Sequence, residues 1–159
     1  MSFSQKVKSE LVKQLPTARH CQIALLTSFI CTAGRISIDG ERRLLVTLHT
    51  EQQEVEALYG ELLNRLFGFC EITDSRQAYK VLETAKLLHL TEDILKKKKR
   101  IVDARDLIWD GLTLQRVCCK RAFLRGVFLV CGSVNNPEKA YHLEMVFLTE
   151  QFAREICHL

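Results

Sequence analysis

The sequence predicts an α+β fold built from a duplicated α-β-β-α-β-β-α unit, and three observations point to it. Two strongly apolar helical stretches each end in a glycine, Gly34 and Gly132, which lie 98 residues apart (132 − 34). Each glycine is followed by a strand–turn–strand pattern. Each of these patterns leads into a helix opened by the same tripeptide, Thr50-Glu51-Gln52 and Thr149-Glu150-Gln151. Self-similarity at a fixed period marks a repeated supersecondary unit. With 159 residues, the chain is long enough to give the duplication a single sizeable core.

The first helix is predicted from Ser2 and Gln5, which form a capping box, and from Phe3, Val7, Leu11 and Leu15 recurring every four residues. Pro16 ends it or begins the turn that follows. Lys6, Lys8 and Lys13 lie off the apolar stripe and face solvent. A second helix, Arg19 to Ala33, is apolar nearly all round, as a buried helix is, and Gly34 reads as its C-cap. Arg35-Ile36-Ser37-Ile38 then alternates, Asp39-Gly40 is a two-residue hairpin signal, and Arg42 to His49 returns. Thr50 caps a helix from about Glu51 to Phe67, with Val55, Leu58, Leu62 and Leu66 on one face and Gly68 at its end. A second hairpin is expected from Phe69 to Glu83, turning near Ser75-Arg76-Gln77, and a helix from Thr84 to Leu95.

From Leu114 the pattern begins again. A helix runs from about Gln115 to Cys131 and stops at Gly132. A strand, a turn at Asn135-Asn136-Pro137 and a strand from Ala140 to Leu148 follow. One domain is expected, with repeat one at about 19–95, a connection at about 96–113 and a partial repeat at about 114–159. The second unit stops at Leu159 inside its closing helix, so the chain is expected to be part of a longer one.

Composition narrows the function classes. Lys and Arg number 23 against 19 Asp and Glu, and the net +4 permits nucleic-acid contact without requiring it. Seven cysteines, an odd number without a secretory signal, indicate reduced cytosolic thiols. No C-x-x-C pair occurs, and the neighbours Cys118 and Cys119 diverge by about 100° on a helix, a poor arrangement for one metal. Histidines 20, 49, 89, 142 and 158 show no ligand spacing on one helix. Cys131 with His142 offers a thiol and a base, against the competing reading of a small buried thiol at a helix interface. There is no glycine-rich phosphate loop and no G-x-S-x-G. Neither a metal site nor a cofactor is therefore expected. The longest apolar stretch, Cys21 to Gly34, is shorter than the ~20 residues a membrane span needs, and no membrane partner is expected.

The element order and the glycine-ended helices resemble the LAGLIDADG homing-endonuclease family, whose nine-residue motif maps onto Leu26 to Gly34 and Leu124 to Gly132. Small residues at four-residue spacing, Ala24-Ser28-Thr32 and Ala122-Gly126, let two helices approach closely; the same stripe also fits an ordinary core helix. Longer strings look like the WhiA family of sporulation and cell-division regulators. They are Met1-Ser2-Phe3-Ser4, the stretch from Cys118 to Gly126, and the stretch from Gly132 to Glu144. That resemblance implies a degenerate LAGLIDADG-like domain with an antiparallel sheet saddle, followed by a DNA-binding helix-turn-helix that this sequence does not contain. It also implies a cytoplasmic, nucleoid-associated protein. Double-stranded DNA would be its partner, mainly through the missing C-terminal domain, with a protein partner in transcription or division as a second contact.

Cleavage in this fold needs one acid from the end of each motif helix, the pair holding a divalent metal at the phosphate. The matching positions here are Ala33 and Cys131, preceded by Cys31 and Leu129, so no catalytic residue is expected and the chain is not expected to be an enzyme. Strand alternation puts Ile36, Ile38, Leu44, Val46 and Leu48 inward and leaves Arg35, Ser37, Arg43, Thr47 and His49 on the other face. Arg35, Arg43, Lys80, Asn136 and Lys139 are the candidate DNA contacts. The run Lys96-Lys97-Lys98-Lys99-Arg100 joins them; it reads either as a solvated helix end or as a phosphate-binding segment. Glu71 and Glu144 on the same face count against an anionic ligand. The alternative is a protein-interaction module, with DNA binding confined to the missing domain.

Overall fold

Helix α2 (Arg19–Ala33) is buried along almost all its length, from Cys21 to Ala33, and the other elements are arranged around it. The computed structural model describes residues 1–89, 91, 101–103, 114–147 and 149–159, the segment 101–103 by its backbone alone. In chain order the elements are α1 (Phe3–Leu11), α2, β1 (Gly34–Ile38), β2 (Leu44–Leu48), α3 (Gln53–Phe67) and α4 (Ser75–Thr84). They continue with β3 (Ile101–Asp103), α5 (Val117–Cys131), β4 (Gly132–Val134), β5 (Leu143–Met145) and α6 (Glu150–Cys157). The mixed α+β class is as the sequence predicts.

A helix can be buried all round only if its polar side chains are satisfied. In α2 the hydroxyls of Thr27, Ser28 and Thr32 donate to the carbonyls of Ile23, Leu25 and Ser28 at 2.7, 2.6 and 2.6 Å. The helix thus consumes its own donors and presents small, dry positions to its neighbours. Its most extensive helix partner is α5. Both helices have 15 residues, and their starts are 98 positions apart (117 − 19). Equivalent positions meet. A Cβ on Gly126 would lie 1.7 Å from Ser28 Oγ and 2.8 Å from Ser28 Cβ. Leu25 closes in beside this approach, its Cδ1 3.0 Å from the same Cβ, and Phe29, Leu25 and Phe123 are each almost wholly excluded from solvent. Helix α3 covers another side of α2 with Val55, Leu58, Leu62 and Leu66, and ends at Gly68 in the left-handed conformation, φ 82°.

Two antiparallel sheets are present among the described residues, one ordered β2-β1-β3 and one pairing β4 with β5. In the first, Ile36 pairs with Val46 and with Val102, while Arg35 pairs with Thr47 and with Asp103. Ile36, Leu44 and Val46 are buried, so the inward and outward sets fall as the alternation predicts.

Several elements depart from the sequence reading. The capping box at Ser2 and Gln5 forms, but α1 ends at Leu11, well before Pro16. Gly34 and Gly132 are extended rather than left-handed caps. They are glycine because a Cβ at Gly34 would sit 2.3 Å from the Ile30 carbonyl oxygen, and one at Gly132 would sit 2.1 Å from the Phe128 ring. The first hairpin does not turn on Asp39-Gly40 alone. Asp39 and Arg43 are the closing pair, Gly40-Glu41-Arg42 form the loop, and Arg42 takes the left-handed position at φ 60°. This is the three-residue loop geometry of a type I turn followed by a left-handed residue.

Thr50 does not cap α3; its hydroxyl accepts from Gln52 N at 3.2 Å and the helix starts at Gln53. In the second unit the equivalent Thr149 does cap α6, accepting from Phe152 N. The expected hairpin from Phe69 to Glu83 is instead helix α4. Asp74 accepts from Gln77 N, Thr73 N donates back to the Gln77 side chain, and Ala78, Val81, Leu82 and Ala85 are all buried. That spacing of buried residues belongs to a helix, not a strand. The expected helix from Thr84 to Leu95 begins where α4 ends; a turn follows with Lys86 at φ 56°, His89 and Thr91 are again helical, and most of the remainder lies outside the described residues. Residues 101–103, read as connection, are β3. Of the strand expected from Ala140 to Leu148, the described residues form strand at Leu143–Met145.

Two outcomes follow. Gly126→Ala should lower stability by about 2 kcal/mol in urea unfolding, overpacking outweighing the gain of about 1 kcal/mol in helix propensity. Adding Ser28→Gly should restore at least half of the loss, since it removes the atoms in the way. Arg42→Gly should raise stability by about 1 kcal/mol, a Tm gain of roughly 2–4 °C, because the side chain is exposed and its left-handed backbone is strained.

Candidate functional site

The strands leave α2 and α5 at their C-terminal ends, so these ends lie at the roots of the two sheets. The last carbonyls are held by backbone from the returning strands: Ala33 O accepts from His49 N at 2.8 Å and Cys131 O from Val146 N at 3.1 Å. Gln52 donates from Nε2 to Val130 O at 3.3 Å, tying the two units together. Beside this end of α5, Lys8 of α1 places its ammonium 5.6 Å from the Phe128 ring centre. Burial pulls the Lys8 ammonium below the usual lysine range, while the nearby Cys131 thiol opposes that shift. A cleft of about 660 Å³ opens here, lined in part by Lys8, Ser9, Glu54 and Ser133. Ser9 donates to Glu54 Oε1 at 3.0 Å across it. The two helix ends themselves contribute a methyl and a thiol, with an ammonium alongside.

The outward face of the first sheet carries Arg35, half-buried, with Thr47 exposed and paired opposite it. Thr47 Oγ1 lies 3.1 Å from His49 Nε2. Arg43 is already engaged: its Nε is 2.6 Å from Asp39 Oδ2 and 3.4 Å from Glu41 Oε2. The Asp39 carboxyl is held below the ordinary aspartate range, first by the backbone N–H of Arg43. Lys80, expected on a second hairpin, stands on α4 with its ammonium 5.9 Å from the Phe67 ring centre. Asn136 is spent on a turn, its side chain accepting from Glu138 N at 3.0 Å and its carbonyl from Lys139 N at 3.0 Å. Lys139 is exposed. The run from Lys96 to Arg100 lies outside the described residues.

Among the described residues, the predicted cations are therefore distributed over the first hairpin, α4 and the β4–β5 turn. Acids stand among them. Glu71 is not on a strand as expected; with Glu56 it lines a cleft beside β2 of about 490 Å³. Glu144, on β5, accepts from Ser133 Oγ and lies 3.4 Å from His142 Nε2. The same short stretch exposes large apolar side chains: Tyr141 at 91%, Leu143 at 60% and Val146 at 66%.

At the other end of the helix pair the structure gathers residues that the sequence reading left scattered. His20, Cys21, Cys118 and Cys119 bring their ligand atoms within 4.8 Å of one another. A search for ligand spacing along a single helix misses this group, because each helix supplies two adjacent residues. The available signal was the internal period, since His20-Cys21 and Cys118-Cys119 are 98 positions apart (118 − 20).

Comparison with known proteins agrees with this architecture. The family model described as the WhiA LAGLIDADG-like domain matches residues 120–159. The "Probable cell division protein WhiA" of Lachnoclostridium phytofermentans is 36% identical over 160 residues, covering 92% of this chain and 50% of that protein. The protein of the same name from Heliobacterium modesticaldum is 32% identical over 174 residues, covering 100% of this chain and 52% of its own length. The chain thus spans about half the length of the curated relatives it matches. The crystal structure of the N-terminal LAGLIDADG domain of DUF199/WhiA aligns with a TM-score of 0.57 at 19% identity, over 98% of this chain and 71% of that one. At that identity the match speaks for the fold.

Proposed function

Since the chain belongs to the WhiA family and carries its LAGLIDADG-like domain, we propose that it is the non-catalytic half of a DNA-associated regulator of transcription and cell division. In this reading it is one domain, with a first repeat at about 19–95 and a partial second at about 114–159. It acts in the cytoplasm at the nucleoid, and DNA recognition resides in a further C-terminal helix-turn-helix domain of the longer protein.

The observation that carries the reading is the chemistry at the ends of α2 and α5. We take Ala33 and Cys131 to stand where nucleases of this fold place their acids. A hard divalent cation at a phosphate needs oxygen donors and an overall negative site. A methyl, a thiol and the Lys8 ammonium supply neither.

Within that reading, specific observations favour a protein contact over a duplex contact for this half. Arg43 is neutralised by Asp39 and Glu41, Glu144 stands on β5, and Tyr141, Leu143 and Val146 present apolar area around it. A mixed, apolar surface suits a protein partner better than a polyanion.

Two measurements test the proposal. Incubated with supercoiled plasmid and Mg²⁺ or Mn²⁺, the chain should leave the DNA uncut; nicking abolished by a chelator overturns the non-catalytic reading. In fluorescence anisotropy at several salt concentrations, the chain alone should bind duplex DNA far more weakly than the full-length protein near physiological ionic strength. Tight binding by the chain, with log K falling by about 0.9 per phosphate contact for each tenfold rise in salt, would return the DNA contact to this sheet.

A further inference from the structure

We propose that His20, Cys21, Cys118 and Cys119 form a tetrahedral site for a thiophilic divalent cation, Zn²⁺ foremost, which staples the N-terminal ends of α2 and α5. The proposal is independent of where the regulator binds DNA.

Geometry comes first. The His20 Nδ1 atom lies 3.2 Å from Cys119 Sγ, 3.4 Å from Cys21 Sγ and 3.8 Å from Cys118 Sγ. All four donors fall within 4.8 Å of one another. Around Zn²⁺, with Zn–S near 2.3 Å and Zn–N at 2.0–2.1 Å, tetrahedral donors stand about 3.6 Å apart from N to S and about 3.8 Å from S to S. Apart by these distances, the four donors need only small side-chain rotations to close on an ion.

The internal repeat explains why two adjacent pairs converge. Neighbouring side chains on one helix splay by about 100°, so a single adjacent pair holds a metal badly. Here the pairs occupy equivalent positions on two helices that meet position for position, as Ser28 and Gly126 do. Each pair straddles the line between the helices, and the two supply the faces of one tetrahedron. Cys21 and Cys119 are buried beneath, while Cys118 is exposed and leaves an entry path.

The donor set also selects the ion. Three thiols and an imidazole are soft to borderline ligands that suit zinc and exclude Mg²⁺. Binding releases up to three thiol protons and leaves a site of charge −1, which the positive ends of two helix dipoles offset. With four protein ligands the site is closed, and its role is structural rather than catalytic. It lies about 18 Å along α2 from the helix end where the nuclease metal of this fold would bind, at 1.5 Å per residue.

The chain, purified under a non-thiol reductant and stripped with a chelator, should be titrated with Co²⁺ and then with Zn²⁺ against a chromophoric competitor. One Co²⁺ per chain should give the intense visible bands of tetrahedral thiolate coordination, displaced by one Zn²⁺ with nanomolar or tighter Kd, and Zn²⁺ should raise the Tm by several degrees. Cys118→Ser and His20→Ala should each weaken Zn²⁺ binding at least about 100-fold. Cys118→Ser removes only an exposed thiol, so its loss of binding is not a loss of fold, and circular dichroism checks this. Exposed cysteines outside the cluster serve as controls: Cys70→Ser with Cys157→Ser should keep the stoichiometry at one. Absent cobalt bands, together with a Tm indifferent to Zn²⁺, overturn the site. So does a Cys21–Cys118 or Cys21–Cys119 disulfide forming in mild oxidant in a chain that takes up no metal, which would make the cluster a dithiol pair instead.

Discussion

The close approach of α2 and α5 at Ser28 and Gly126 is the constraint on which the rest of the structure depends. There is no room there for even one more carbon, since a Cβ on Gly126 would overlap the serine side chain. That closeness is possible because α2 satisfies its own buried hydroxyls, leaving no hydroxyl that must reach outward. Once the two helices are locked position against position, their ends are also fixed. Both chains of residues then turn straight into strands at Gly34 and Gly132, where contact with the preceding helical turn again excludes a side chain. The sheets are thus consequences of the helix pair, held to it by the carbonyls of Ala33 and Cys131.

One helix pair consequently has two ends of opposite chemical character. The C-terminal ends offer a methyl and a thiol with an ammonium beside them. The N-terminal ends bring together three sulfurs and an imidazole. Hard-ion chemistry at phosphates and soft-ion ligation draw on different donors. The donors gathered at the N-terminal ends are of the soft kind. The proposed metal site cross-links the starts of α2 and α5.

The surfaces carry the division of labour further. In the first hairpin the positive charge of Arg43 is spent on closing its own turn, and the left-handed Arg42 serves the loop geometry. In the second, Asn136 is absorbed into the turn while Tyr141, Leu143 and Val146 face outward. Among the described residues, the cations proposed as phosphate contacts lie on separate elements, and Arg43 already has acidic partners. Net charge alone does not distinguish these cases, because it is blind to which charges already have partners.

Residues near one another in the chain determined much of the fold by themselves. The capping box at Ser2, the largely apolar α2, the left-handed end at Gly68, the alternating β1 and β2, and the Thr149 cap all depend on contacts within a few residues. Propensity and periodicity capture such contacts. Even the helix α4 had a local signature in Asp74 and Gln77 that a strand reading of Phe69 to Glu83 passed over. Tertiary structure alone decided the pairing of β3 with β1 and the placing of Lys80 against the Phe67 ring. It alone decided the meeting of His20-Cys21 with Cys118-Cys119, because ligand convergence depends on how two helices separated by nearly a hundred residues are packed, and no spacing along either helix records that distance.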